Sequence, residues 1–306
     1  MAVAQAELAI EQIEACRPSS ARSIHEARKA IKRMRTIVRL LEAELGPAVC
    51  AREQGALRHA AAGLAGARDA EVMLATLDGL IERNPGALAG RRSVARIREH
   101  LSRERDRAER LAQHPATRIA AVNELRAFAL RAGAWQLTEH AGLGSIDSGL
   151  RRIYREGRRR RRRAARARGE GMHAMHQWRK RVKDLRYAAE MLQRQELSAR
   201  GSRSRRARAR SEARWLHRLA ARADELGEVL GEEHDLAVLG AWLRAEGKRV
   251  GAGRATRRTL ERLISKRRSK LRKRALRDGQ RLYRRRPGEF MERIGRAFAQ
   301  TGPKLS

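Results

Sequence analysis

Two stretches of the sequence, 151 residues apart (25 to 176), set histidine, arginine and lysine at the same intervals. The first is His25-Glu-Ala-Arg28-Lys29-Ala-Ile-Lys32-Arg33-Met-Arg35. The second is His176-Gln-Trp-Arg179-Lys180-Arg-Val-Lys183-Asp-Leu-Arg186, and both read H-x-x-R-K-x-[IV]-K-x-[ML]-R. Residues of these types bind oxyanions: a guanidinium fork takes two oxygens at once, an ammonium acts as a point charge, and an imidazole donates a hydrogen bond. The spacing puts them in line. At about 100° per residue, with His25 at zero, Lys32, Arg39, Arg28 and Arg35 fall at about −20°, −40°, −60° and −80°, and Lys29 at about +40°. Ile24, Ala27, Ile31, Met34, Val38 and Leu41 take the opposite side. The second copy divides the same way, with His176, Arg179, Lys180, Lys183 and Arg186 on one stripe and Trp178, Val182, Leu185 and Leu192 behind it. An ordinary exposed helix face interleaves Glu with Lys or Arg at i,i+4. The first stripe holds no acid and the second only Glu190. Both read as ladders for phosphate groups; a merely solvated basic face would have had to arise twice.

The elements that must hold these ladders are helices. Ala, Leu, Arg and Glu dominate, aromatics make up 3%, and no strands are expected. Helical spacing runs over residues 19–46, with Ser23 and Glu26 as a capping box and Gly46-Pro47 as the stop. Residues 48–83 follow with a weak point at 63–66, then helices over 87–113 and 116–140. The second half predicts helices over 149–168, 172–197, 211–246 and 254–280, and a short one over 289–299. Residues 141–148 (AGLGSIDS) read as a linker, and 198–210 (SARGSRSRRARAR) as a mobile basic loop. The six consecutive arginines from Arg158 to Arg163 circle nearly two turns, so they cannot all face one ligand. Leu64 to Val72, with Arg68-Asp69, matches Leu230 to Val238, with His234-Asp235, at an offset of 166 (69 to 235). Matched order with one insertion of loop size points to duplication, hence an all-α fold of two similar helical bundles, 1–142 and 143–306.

Composition narrows the partner. Lys+Arg is 71 against Asp+Glu 35, a formal net charge of +36, and only nine of the 71 are lysine. Such a surface draws polyanions: nucleic acid, inorganic polyphosphate or an anionic membrane. Arginine in excess favours phosphate. Hydrophobic residues at 42% suffice for a real core. Two cysteines, Cys16 and Cys50, give neither a disulfide framework nor metal-ligand spacing. The first sixteen residues carry acids and no apolar signal-peptide region, and no apolar run approaches the ~18 residues of a membrane span. A cytoplasmic protein without a membrane partner is expected.

The repeated histidine motif, the Arg-Asp and His-Asp elements, Arg186-Tyr187 and the Leu-Gly-x-x-His-Asp-Leu run from Leu230 to Leu236 resemble the CHAD family (conserved histidine α-helical domain) over nearly the whole chain. The resemblance implies two long-helix, four-helix bundles related by a pseudo-twofold axis, with a shared basic central cavity that binds inorganic polyphosphate. Some family members carry a fused triphosphate-tunnel domain with an E-x-E-x-K motif; none occurs here, so the resemblance implies a stand-alone polyphosphate-binding member. The first copy departs at Thr36, opposite Tyr187, and at Arg68, opposite His234.

Other chemistries fare worse. His173 and His176, with His234-Asp235, invite a metal, but the surrounding cations disfavour a divalent ion. His25 and His176 either donate to phosphate near helix N-termini or are half-buried structural residues. Asp69 and Asp235 are expected to orient motif arginines. No nucleophile–base pair, P-loop or facing carboxylates occur, so no enzyme activity, cofactor or metal is expected. Nucleic-acid binding is the rival. Yet the ten aromatics are not interleaved with the ladders, and no helix-turn-helix pattern appears, leaving nonspecific RNA or DNA binding as the alternative. Storage, targeting to polyphosphate granules and docking of granule-associated proteins are all compatible with the ladders.

Overall fold

The computed structural model describes residues 1–15, 21–64, 66–137, 144–167, 172–198 and 203–298. Among them the chain is helical without strands, as its composition predicts. The first helices are α1 (Ala2–Glu14), α2 (Ala21–Leu40), α3 (Glu42–Gly63), α4 (Gly66–Arg83), α5 (Pro85–Leu88), α6 (Arg92–Gln113) and α7 (Pro115–Gly133). Then come α8 (Gly144–Arg166), α9 (Met172–Ser198), α10 (Arg203–Glu246), α11 (Arg254–Leu282) and α12 (Pro287–Phe298). Helices α1 to α7 pack mainly among themselves, α1 on α2 and α7, α3 on α2 and α7, and α4 on α6. Helices α8 to α12 do likewise, with α9 against α8 and α10, and α10 against α11. The two sets meet where α2 touches α8 and α9, α3 touches α8, and α4 touches α10.

Amphipathic faces drive this packing. On α2, Ile24, Ala27, Ile31, Met34 and Val38 are buried, and on α9 so are Met175, Trp178, Val182, Leu185 and Leu192. The ladder cations therefore point away from the core on both helices. At the end of α2 an apolar cavity of about 270 Å³, lined in part by Ile37, Leu40, Trp135, Ala188 and Met191, lies between the two sets. Gly149 of α8 comes so close to the Leu40 carbonyl that a Cβ there would collide with backbone. Three residues on, Arg152 donates from Nη2 to the Arg39 carbonyl at 2.7 Å, covering one of the carbonyls left open where α2 ends.

Several boundaries differ from expectation. Helix α2 stops at Leu40 instead of Gly46, and Gly46 (φ 76°) puts a kink inside α3. Ser23 lies within the first turn of α2, so it does not cap the helix. Helix α7 ends at Gly133, seven residues early. Residues 144–148 of the expected linker form the first turn of α8, because Ile146 packs against the core and draws the chain into the helix. Residues 203–210 of the expected loop are the start of α10: Arg and Ala are strong helix formers, and no Gly or Pro stands between Gly201 and Gly227. The rest of both segments, 138–143 and 199–202, lies outside the described residues.

Candidate functional site

His25 and His176 hold the same position, fifth in their helices, near the amide-rich N-terminal ends of α2 and α9. Their surroundings differ. His25 is exposed, whereas His176 is half-buried with its ring centroid 4.4 Å from that of His234 on α10. Burial first, then His234, Lys180 and Arg179, pushes the His176 pKa down to about 4. His234 is likewise lowered to about 4 by burial and by Arg179, Lys183, Lys180 and Arg268. Neither imidazole is charged at neutral pH.

The two ladders come together. Lys183 is half-buried, with Arg179 and Lys32 beside it; burial and these two cations lower its pKa to about 7, only partly offset by Glu228 and Asp235. Burial also lowers Lys180, followed by repulsion from Arg35, Arg181 and Arg39. Arg39 and Arg35 are lowered for the same first reason. Cations from α2 and α9 thus act on one another across a shared locus, although their mutual repulsion favours separation.

A buried carboxylate makes that approach tolerable. Asp184, 7% exposed, accepts from Arg39 Nη1 at 3.3 Å and from the Thr36 hydroxyl at 3.4 Å, while Arg181 Nη2 lies 3.2 Å from its other oxygen. Thr36, where the first copy departs from the second, therefore ties α2 to α9. Other motif residues are committed to neighbours. Arg186 pairs with Glu190 at 2.7 Å and with Asp224; Arg28 donates to the Leu64 carbonyl at 2.6 Å; Arg35 Nε donates to Gln54 at 3.1 Å; Lys29 lies 3.5 Å from Glu26. These contacts fix side-chain orientation along the ladder.

Among the polar atoms buried without a hydrogen-bond partner are three nitrogens of the shared locus, His176 Nδ1, Arg179 Nε and His234 Nδ1. Leaving such atoms unpaired costs about 1–3 kcal/mol each, which an oxyanion's acceptors would recover. Among the described residues, no group of three or more His, Cys, Asp or Glu could hold a metal ion. Sequence reading had not placed His234, Arg181 or Arg268 in the site. For His234 the signal was present, in the repeat that aligns His234-Asp235 with Arg68-Asp69; the side chain of Arg68 lies outside the described residues.

A family model described as the CHAD domain matches residues 4–244, ending near the C-terminus of α10. No curated protein matches the chain. No described helix is long and apolar enough to cross a membrane.

Proposed function

The chain belongs to the CHAD domain family, a family associated with polyphosphate binding, and on that premise we propose that it is a non-catalytic module that holds inorganic polyphosphate on the joined ladders of α2 and α9. The observation that carries this reading is the convergence of Lys32, Arg35 and Arg39 with His176, Arg179, Lys180 and Lys183, a locus whose cations outnumber its acids and where His176 Nδ1, Arg179 Nε and His234 Nδ1 are buried without a partner. Phosphate oxygens would relieve both conditions, and in a polyphosphate every unit carries charge without a base to accommodate. Binding of this kind would recruit the protein, and anything docked on it, to polyphosphate granules in the cytoplasm.

The test is competition between long-chain polyphosphate and RNA at equal phosphate concentration, near 0.15 M salt, where the Debye length is about 8 Å. Polyphosphate is expected to displace RNA. Equal affinities would instead mark a nonspecific nucleic-acid binder. Arg179→Gln with Lys183→Gln should weaken polyphosphate binding by about a hundredfold, losing roughly 1.4 kcal/mol or more per charge-assisted contact.

A further inference from the structure

Lysine is the exception in this arginine-rich chain, and its placement is selective. Seven of the nine lysines lie on three helices: Lys29 and Lys32 on α2, Lys180 and Lys183 on α9, and Lys266, Lys270 and Lys273 on α11. The interval K-x-x-K occurs three times in the sequence, once on each of these helices. Two of the three are the ladders. The third, Lys270 and Lys273, belongs to a helix that begins after the family match has ended.

On α11 these lysines form a stripe. With Lys266 at zero, Lys273, Arg262, Arg277, Lys270 and Arg281 fall at about −20°, −40°, +20°, +40° and +60°, a row about 28 Å long. All six are exposed, and Leu260, Ile264, Leu271, Ala275 and Leu282 bury the opposite side. Several cations elsewhere on α11 are matched: Arg267 lies 2.7 Å from Glu232, Arg268 and Arg272 both reach the buried Glu233, and Arg274 meets Asp278 at 3.5 Å. Within the stripe, Arg277 lies 3.6 Å from Asp278, and the other five residues make no ion pair among the described residues. Their i,i+4 neighbours Arg262, Lys266 and Lys270 repel one another, at a cost that a polyanion would cancel.

We propose that the outer face of α11 is a second phosphate track, occupied by the continuation of the polyphosphate chain held at the ladders of α2 and α9. The proposal rests on the polyphosphate reading of those ladders. It commits to the same chain because α11 also reaches the ladder site: Arg268 acts on His234 there. Arg272, which shares Glu233 with Arg268, stands about 100° around α11 from Lys273, so a chain leaving the site crosses about a quarter of the helix circumference to reach the stripe. The stripe carries no aromatic side chain on which a base could stack. Once one stretch of chain is bound, the next binds at raised effective concentration, so the gain appears only in chains long enough to reach both places.

The experiment compares dissociation constants for polyphosphate of about ten and about a hundred units, and for RNA, in the wild type and in Lys266→Gln/Lys270→Gln/Lys273→Gln, with helicity checked by circular dichroism. The triple variant should keep the short-chain affinity within about twofold and lose about tenfold for the long chain. Unchanged long-chain binding would overturn the proposal, as would an equal loss for both lengths or a loss confined to RNA. A wild type that binds no short chain would count against the ladder reading alone, while a long-chain loss in the triple variant would still support the track.

Discussion

At the residue scale, the most consequential group is Lys183. The sequence offers His25 and His176, titrating from the ordinary value of ~6.5, as the pH-sensitive part of the site, and the structure tests this for His176. Burial and neighbouring cations instead hold His176 and His234 near 4 and bring Lys183 to about 7. A bound anion favours the charged form of each and raises its pKa. Binding through Lys183 is then at full strength below about 7, the free-state value, and weakens as pH climbs toward the higher bound-state value. The histidines obey the same rule from a starting point of about 4. Polyphosphate affinity should therefore fall between pH 7.5 and 9 by up to about tenfold per unit, the limit for one linked proton. His176→Gln/His234→Gln should retain that slope, and Lys183→Gln should flatten it. A slope that survives Lys183→Gln would assign the titration to another group.

At the element scale, two like-charged helix faces stay together because apolar faces and one carboxylate hold them. Asp184 joins Arg39 and Thr36 of α2 to Arg181 of α9 in a place with little access to water. Removing its charge leaves the Arg39 guanidinium without its counter-ion, while Arg181 keeps Glu156 at 3.0 Å, so Asp184→Asn should cost about 3 kcal/mol of stability in urea unfolding. The same change makes the locus more positive, so polyphosphate affinity should not fall. A variant that loses binding while keeping stability would mean that Asp184 orients the ladder instead of stapling the helices. Helix identity was legible in the sequence, since apolar spacing and the Gly63–Gly66 break survive intact. Helix ends were less so. The limits of α8 and α10 follow Ile146 packing and the propensity of an Arg/Ala run, which the Gly/Ser content of 141–148 and the low complexity of 198–210 obscure.

At the scale of the whole molecule, a net charge of +36 sets stability and binding against each other. Salt screens repulsion within the free protein but also weakens its attraction for a polyanion. Raising salt from 0.05 to 0.5 M should lift the Tm of the free protein while lowering polyphosphate affinity by about tenfold or more. A Tm that falls with salt would show that ion pairs such as those of Asp184 and Glu233 outweigh the net repulsion. The sequence by itself determined the helical class, the family and the two ladders, because each depends on intervals along one chain: an apolar or cationic residue every three or four positions defines a face wherever the helix goes. Tertiary structure decided what the ladder residues can do. It set His176 against His234 and left His25 exposed, committed Arg186 to Asp224, and half-buried Lys183 among cations so that its charge became conditional on pH. Counter-ions and desolvation come from residues far away in sequence, as Asp184 does for Arg39, and no periodicity along a single helix contains them.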